Sequence, residues 1–295
     1  MSQQVVVGVD GSAGSVAALK WAAGWAARHD GQLSPTYVWP TPGPTMLGGL
    51  GSPPVEVMQA GGKDLLHRML EAADVPEELV RHQHVCGGAA AAALIELSDA
   101  ADLLVVGHRG RGAVVDTLSG SISSSVAAHS HVPVAVIPEG FDPPKPKHTL
   151  RTLVAVDGSE NAKAALLWAV DTHCEDDLLS ALHFWQVPSM DLIDPTAITA
   201  TMQRHQEDDA RSVVARMVQE TLGDRGPMIR QLLTRGDTRL GLIDSAREAD
   251  LMVIGQRGHS GLARMVFGSI ASFVVHHLTI PTVFVPTCYR DGALS

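Results

Sequence analysis

The sequence contains two copies of one pattern, and this repeat restricts the possible folds more than any other feature. The segment LLVVGHRGRGAVVDTLSGSI, residues 103–122, returns as LMVIGQRGHSGLARMVFGSI, residues 251–270. The segment VVVGVDGSAGSVAALKWAA, which starts at Val5, returns as TLVAVDGSENAKAALLWAV from Thr152. Repetition on this scale indicates duplication of a whole domain and not an array of short repeats.

The length and the segment between the copies predict where the domains divide. A chain of 295 residues suits two domains. Between the copies lies EGFDPPKPKHT, residues 139–149, whose prolines and charges favour an extended, exposed linker. We therefore predict a first domain over residues 1–141, a linker over 142–149 and a second domain over 150–295.

Each copy alternates between strand and helix patterns. The first and fourth strands, VVVGV and LLVVG in the first copy, are unbroken apolar runs, which is typical of parallel strands covered on both faces. Further strands are predicted at LVRHQHVC and MIRQLLTR, and the first helix carries Trp21 and Trp25 on one face, as core residues do. The pattern predicts an α/β fold with two tandem, doubly wound domains, each with a five-stranded parallel sheet.

Composition excludes several classes of partner. The net charge is −10, which argues against nucleic acid or an anionic membrane, since both attract positive surfaces. The N-terminal sequence has no signal-peptide pattern, and no apolar stretch is long enough to span a bilayer. Three scattered cysteines are typical of reduced thiols, so we expect a cytoplasmic protein. None of the 14 histidines stands with cysteine or carboxylate at ligand spacing, and we expect no structural metal site.

The glycine pattern G-x2-G-x9-G-S follows an apolar strand and precedes a helix in both copies. Doubly wound sheets bind ligands at the carboxyl ends of their strands, where Asp10 and Asp157 also lie. Backbone amides in a glycine loop and at a helix N-terminus bind anions, and arginines inside the pattern supply counter-charge. A single GxxG is more often a plain turn, and duplication copies turns too. The residues between the matching glycines and serines have diverged, which favours a polyphosphate site.

Other nucleotide and hydrolase motifs are missing from the sequence. There is no GxxxxGK[ST] phosphate loop and no GxSxG nucleophile elbow. The first strand ends in VGVDGS, which does not continue as GxGxxG, so a dinucleotide-binding fold of the usual kind is not expected.

Together, VxVDGS, G-x2-G-x9-G-S and PVxVxP resemble the ATP-binding members of the universal stress protein family, over the whole chain as two tandem domains. The resemblance implies an adenine nucleotide α-hydrolase-like fold and one ATP site per domain, with ATP bringing Mg²⁺. It implies a first site formed by Gly8, Asp10, Val38, Gly107, Arg109, Gly110, Gly120 and Ser121. It implies a second site formed by Ala155, Asp157, His183, Gly255, Arg257, Gly258, Arg264, Gly268 and Ser269.

The expected function is that of an ATP-dependent regulatory or stress-response protein, because no catalytic base is identifiable. Two alternatives remain open: a slow ATP hydrolase or phosphotransferase, and a nucleotide-free protein-interaction scaffold. The last strands, PVAVI and TVFVP, are predicted apolar sheet edges, and such edges tend to pair with another strand. In the family that edge pairs domain with domain, so the resemblance implies an intramolecular pseudo-dimer and a homodimer of chains.

The two predicted sites differ in one charge, since Asp116 stands where the second copy has Arg264. One unit charge about 6 Å from a phosphate, at an effective dielectric near 20, is worth roughly 3 kcal/mol before screening. We therefore expect the second site to bind ATP more tightly. Replacing Asp116→Arg should strengthen the first site when each site is titrated, and an unchanged affinity there would contradict the prediction.

Overall fold

The computed structural model describes residues 3–40, 53–108, 121–144, 148–186, 200–258 and 267–289. The first repeat supplies β1 (Gln4–Gly8), α1 (Ala13–Arg28), β2 (Gln32–Trp39), α2 (Val55–Ala72), β3 (His84–Gly87), α3 (Ala90–Ser98), β4 (Leu103–Gly107), α4 (Ser121–His129) and β5 (Val134–Ile137). The second supplies β6 (Arg151–Ala155), α5 (Glu160–Asp171), β7 (Leu178–Trp185), α6 (Ala200–Leu222), β8 (Ile229–Arg235), α7 (Thr238–Ala246), β9 (Leu251–Gly255), α8 (Ser269–His276) and β10 (Thr282–Val285).

The chain divides into two compact units. Unit 1 lies within residues 1–148 and also includes Pro281–Phe284, which come from the end of the second repeat. Unit 2 lies within Thr149–Ile280 and Val285–Asp291. The division of the chain thus falls close to the proline-rich segment, but one strand late in the sequence is part of the first unit.

Unit 1 has the strand order β3-β2-β1-β4-β5. These strands pair in parallel. The chain runs from β1 outward through β2 and β3, and then returns to the other side of β1 with β4, so the order reverses between β1 and β4. β10 pairs with β5 in the antiparallel direction, with Phe284 opposite Val134. The α/β fold with a doubly wound, mostly parallel sheet is confirmed, and its antiparallel strand is the addition.

Unit 2 repeats this arrangement with the order β9-β6-β7-β8. Each of these pairings is parallel, and the order reverses between β6 and β9. The central strands are buried, as the unbroken apolar runs predict: Val154, Val253 and Ile254 are at most 3 % exposed. The carboxyl ends of β6 and β9 therefore lie side by side at a switch point, where such sheets bind ligands.

The first helix shows how the sequence fixes an element. Gly11 adopts a φ of 84°, which favours glycine, and the next residue caps the helix. The predicted core position of the two tryptophans is confirmed: Trp21 and Trp25 are 8 % and 5 % exposed. Their rings stack with centroids 5.1 Å apart, so α1 packs onto the sheet through a large aromatic surface.

The third strand is shorter than the sequence pattern LVRHQHVC predicts, since β3 begins only at His84. The reason lies in the neighbouring strand. The amide of Arg81 donates to the carbonyl of Leu33 at 2.9 Å. The backbone N–H and C=O groups of odd-numbered residues in β2 therefore point towards β3. The next odd position is Pro35, which has no N–H to donate, and the regular ladder starts after it at Thr36.

Candidate functional site

A cavity of about 190 Å³ lies at the switch point of unit 2. Its walls are the carboxyl ends of β6, β7 and β9 and the first turns of α5, α7 and α8. The residues around it are Ala155, Val156, Asp157, Ser159, Ala162, Leu182, His183, Phe184, Thr238, Ile254, Gly255, Arg257, Gly258, Gly268, Ser269, Ile270 and Ala271. The position of the cavity is the one that the strand order of a doubly wound sheet favours for ligands.

The acidic side of the cavity is fixed by a tight turn. One carboxylate oxygen of Asp157, Oδ1, accepts a hydrogen bond from the amide of Ser159 at 2.9 Å. Gly158 between them has a φ of 88°, and the hydroxyl of Ser159 caps α5 by accepting from the amide of Ala162 at 3.2 Å. The other oxygen, Oδ2, is directed towards Gly258. The turn thus presents one carboxylate oxygen to the cavity.

The first repeat builds the same turn. The Oδ1 atom of Asp10 accepts from the amide of Ser12 at 3.0 Å and from its hydroxyl at 2.6 Å. Ser12 in turn caps α1 by accepting from the amide of Ser15 at 3.2 Å. The DGS sequence that both repeats share therefore has one local structural purpose in each, namely to start the first helix with an aspartate at the end of the first strand.

The glycines of the repeated pattern have different surroundings. A Cβ on Gly255 would lie 2.6 Å from the Cβ of Asn161 and 2.7 Å from its backbone, so this glycine allows β9 to approach α5. A Cβ on Gly268 would lie 3.1 Å from the Cα of Arg257. A Cβ on Gly258 would meet only Asp157 Oδ2, at 3.3 Å. Gly258 is thus the glycine whose missing side chain leaves room in the cavity.

The N-terminus of α8 supplies amide donors. Gly268 is its N-cap residue and, among the described residues, no side chain caps the helix. The amide of Gly268 donates to the carbonyl of Gln256 at 2.8 Å, which holds the start of the helix against the end of β9. The first-turn residues Ser269, Ile270 and Ala271 line the cavity. The first amides of a helix and its dipole favour an anion, and the exposed Arg257 beside them adds a positive charge.

The other wall of the cavity is largely apolar. It is formed by Ala155, Leu182, Ile254 and the half-buried ring of Phe184. His183 stands beside this wall, and its Nδ1 donates to the carbonyl of Val156 at 2.8 Å, which fixes the ring. The cavity therefore has a polar side suited to an anion and an apolar side suited to a flat, uncharged group.

Most of the residues predicted for the second site meet at this cavity. Eight of them line it: Ala155, Asp157, His183, Gly255, Arg257, Gly258, Gly268 and Ser269. The ninth, Arg264, lies outside the described residues. The sequence patterns missed Phe184, Thr238 and Ile270, which line the cavity as well. Nothing in their local sequence separates them from ordinary core or helix positions, and only the fold shows that they face a common space.

The residues predicted for the first site are placed only in part. Gly8 and Gly107 end β1 and β4, Asp10 follows β1, and Val38 lies near the end of β2. The backbone of α4 begins at Ser121. The remaining residues, Arg109, Gly110, Gly120 and the differing Asp116, lie outside the described residues. A Cβ on Gly107 would lie 2.5 Å from the backbone carbonyl of Gly14, so this glycine also allows a close approach of strand and helix.

The strand ladders match the two repeats residue by residue. The equivalent hydrogen bonds are Val9 N–H to Thr36 O and Val156 N–H to Leu182 O, both 2.9 Å. Thr36 therefore corresponds to Leu182, and Val38 corresponds to Phe184. The sequence analysis gave Val38 and His183 the same place in the two sites. By register, the counterpart of His183 is Tyr37.

Metal-binding groups and reactive cysteines would be further signs of a functional site. Within the described ranges, no group of three or more histidine, cysteine or acidic residues is arranged to hold a metal ion. None of Cys86, Cys174 and Cys288 is part of a disulfide bond. Burial, and secondarily the nearby charge of Glu96, raises the pKa of the Cys86 thiol, so this cysteine is not an activated nucleophile. No described helix has the length and hydropathy needed to cross a membrane.

The fold and the cavity define an α/β protein with a cavity at the switch point of its sheet. Comparison with known proteins names the family. The sequence model of the Universal stress protein family matches residues 1–138 and again residues 149–286. The chain belongs to the universal stress protein family, as two tandem domains.

Full-length relatives agree with this assignment. A universal stress protein of Mycolicibacterium smegmatis is 30% identical over 299 residues, covering 95% of this chain and 96% of the relative. One of Mycobacterium tuberculosis is 30% identical over 302 residues, covering 95% and 93%. The crystal structure of a universal stress protein from Archaeoglobus fulgidus has a TM-score of 0.65 at 19% identity, covering 97% of this chain and 99% of that one. At that identity the structural likeness concerns the fold.

Proposed function

We propose that the chain binds ATP at the cavity of unit 2 and acts as a nucleotide-dependent regulatory protein. The observation that carries the proposal is the convergence of three features on one cavity: the amides at the start of α8, the lining residue Arg257 and an apolar wall. Amides and a guanidinium bind phosphate oxygens. The apolar wall suits a base.

Each side of the cavity suits a different part of the proposed nucleotide. Phosphates would accept hydrogen bonds from the α8 amides and from Arg257, with Gly258 leaving space beside them. Asp157, whose Oδ2 faces Gly258, can ligate the Mg²⁺ that ATP brings or accept from ribose hydroxyls. The described lining encloses about 190 Å³, less than the roughly 300–1,000 Å³ typical of ligand pockets. A nucleotide bound here would therefore extend beyond this cavity.

We extend the proposal to the first repeat because it carries the same signals at the same places in the fold. Its DGS turn presents Asp10 at the end of β1, as Asp157 is presented in the second repeat. The equivalent glycine pattern follows β4 and precedes α4. One ATP per repeat, two per chain, is the expected stoichiometry.

Titration of the purified full-length protein with Mg·ATP in a calorimeter tests the proposal. Arg257→Ala should weaken binding at one site about ten- to a hundredfold, because a charged hydrogen bond contributes about 1.5–3 kcal/mol. Arg247→Ala is the matched control, since Arg247 is an exposed arginine away from the cavity and pairs with Asp244 at 3.6 Å. The control should bind like the unmodified protein.

The same preparation separates the alternatives. Protein stripped of nucleotide that binds no ATP would contradict the proposal and favour the scaffold. Equal affinities in the Arg257→Ala and unmodified proteins would show that ATP binds elsewhere. Release of phosphate at rates that fall in Asp157→Ala, with ATP binding kept, would favour the hydrolase.

A further inference from the structure

The aromatic wall of the unit 2 cavity depends on a glycine behind it. Phe184, near the end of β7, lines the cavity, and its ring lies against Gly241 on α7. A Cβ on Gly241 would overlap the edge of that ring, with the Phe184 Cζ only 2.6 Å away. Real Cβ atoms do not approach so closely, so any side chain at position 241 requires the ring to turn away from α7. The cavity is the open space beside it.

The first repeat has a different pair of residues at the same two places. Val38 corresponds to Phe184 by the strand register given above. The counterpart of Gly241 follows from the first hydrogen bonds of α3 and α7. The amide of Ala93 donates to the carbonyl of the N-cap residue Ala89 at 3.0 Å, and the amide of Gly241 donates to the carbonyl of the N-cap residue Asp237 at 2.9 Å. Ala93 thus corresponds to Gly241. The second repeat thus has phenylalanine and glycine where the first repeat has valine and alanine.

We propose that Phe184 and Gly241 form a specificity-determining pair that gives the second site an aromatic surface for the base, where the first site has the aliphatic Val38 in front of Ala93. This inference rests on the proposed function. Aromatic rings stack on nucleobases, which is worth more than an aliphatic contact of similar area. The second site should therefore bind base-containing ligands more tightly than the first, and Gly241 keeps the ring where a base can reach it.

Three variants of the full-length protein test this pair: Phe184→Val, Gly241→Ala and the double variant, which copies the first repeat. Each is titrated with Mg·ATP and, separately, with inorganic tripolyphosphate, which has no base. Gly241→Ala should weaken ATP binding at one of the two sites about tenfold. Phe184→Val should weaken it by a similar factor, because stacking is lost. The affinity for tripolyphosphate should stay within about twofold in all three.

The double variant is the decisive measurement. Without a ring at position 184 the Cβ at position 241 has nothing to displace, so Gly241→Ala should add no further loss to Phe184→Val. Ala93→Gly, the mirrored change in the first repeat, is the control and should leave the tighter site unchanged. Losses that add in the double variant, or an unaltered ATP affinity in Gly241→Ala, would overturn the inference while leaving the proposed function intact.

Two further readings separate the remaining outcomes. Unmodified protein that binds no ATP would overturn the proposed function and this inference together. A thermal melt without ligand reports the steric contact alone: Gly241→Ala should melt lower than the unmodified protein, and the double variant should melt no lower than Phe184→Val. An equal drop from Gly241→Ala in both backgrounds would contradict the contact between Phe184 and position 241.

Discussion

At the scale of the residue, the glycines of the repeated pattern separate into two kinds. A Cβ on Gly107 would lie 2.5 Å from backbone atoms of Gly14, and a Cβ on Gly255 would lie 2.7 Å from backbone atoms of Asn161. Both glycines therefore allow a strand and a helix to pack closely. Gly258 instead borders the cavity, where a Cβ would meet only a carboxylate oxygen of Asp157. In the sequence all of them belong to one predicted ligand-binding pattern, but packing alone explains the glycine that ends each strand.

This distinction predicts different effects for two alanine variants. Gly255→Ala forces the backbones of β9 and α5 apart, and overpacking of that kind costs about 1–3 kcal/mol of unfolding free energy. Gly258→Ala, the matched control, should change stability by less than about 0.5 kcal/mol, because its nearest contact is a side chain that can move. Urea unfolding of both variants measures the difference. Similar midpoints for the two would contradict it.

Cys86 supplies a second prediction at this scale. Burial first, and Glu96 second, raise its pKa above the ordinary value. Its thiol should therefore be alkylated more slowly near neutral pH than that of the exposed Cys288, because only the thiolate reacts. Because the pKa of Cys86 is raised in the folded state, its contribution to the free energy of unfolding is most favourable below the ordinary thiol pKa. This contribution is lost as the pH rises through the raised pKa.

Iodoacetamide labelling followed by peptide mass mapping gives both rates. Glu96→Gln should lower the pKa of Cys86 and speed its labelling, while the rate at Cys288 stays constant. Faster labelling of Cys86 than of Cys288 in the native protein would count against the prediction.

Sequence reasoning located the polar residues of the site better than the apolar ones. Asp157, Arg257 and Gly258 stand in short motifs that have a chemical reason at their spacing, and the structure brings them to one cavity. Phe184 and Ile270 carry no such signal, because an apolar residue at the end of a strand or in a first helical turn is usual in any core. Their part in the site depends on which strands are neighbours.

At the scale of the element, the starts of the first helices are the clearest agreement between sequence and structure. The DGS segment places a glycine at positive φ and a serine at the N-cap in both repeats. The starts of α1 and α5 follow from these residues alone. The length of β3 could not be predicted in the same way, because the interruption comes from Pro35 in the neighbouring strand.

The helix cap gives a prediction at this scale. Ser159→Ala removes the oxygen that accepts from the amide of Ala162, and loss of such a cap costs about 0.5–2 kcal/mol of unfolding free energy. Ser212→Ala is the control, since Ser212 is an exposed residue inside α6 that donates to the carbonyl of Asp208. It should be neutral within about 0.5 kcal/mol.

Chemical unfolding followed by circular dichroism compares the two serine variants. A cap that contributes nothing would leave the midpoint of Ser159→Ala equal to that of Ser212→Ala.

At the scale of the whole molecule, β10 pairs with β5, the last strand of the first repeat, as the family resemblance implies for these two apolar edges. The sequence predicts an apolar last strand in each repeat, and both are fully buried. Periodicity does not reveal direction or partner, so the antiparallel pairing of β10 with β5 within unit 1 could not be derived from the strand itself. The cytoplasmic location and the homodimer stay predictions, which fractionation and light scattering would test.

A substitution at Phe284 tests how much the packing of β10 contributes to the free energy of unfolding. Its side chain is 0 % exposed and stands opposite Val134 in the ladder, so Phe284→Ala should cost about 3–5 kcal/mol of unfolding free energy. Leu178→Ala is the control, because Leu178 is 57 % exposed and its truncation should cost less than about 0.5 kcal/mol. Guanidinium titrations followed by tryptophan fluorescence decide between them, and equal losses would refute the pairing.

The position of β10 in the sequence also determines when the sheet of unit 1 can be completed during translation. A growing chain exposes β5 at the ribosome long before residues 282–284 exist, although its hydrogen-bonding partner is among them. N-terminal domains usually fold first as they emerge, but here the earlier unit keeps an open apolar edge until residues 281–284 have been made. Any message that stops short of codon 281 would release a product with that edge uncovered, and unpaired edges of this kind promote aggregation.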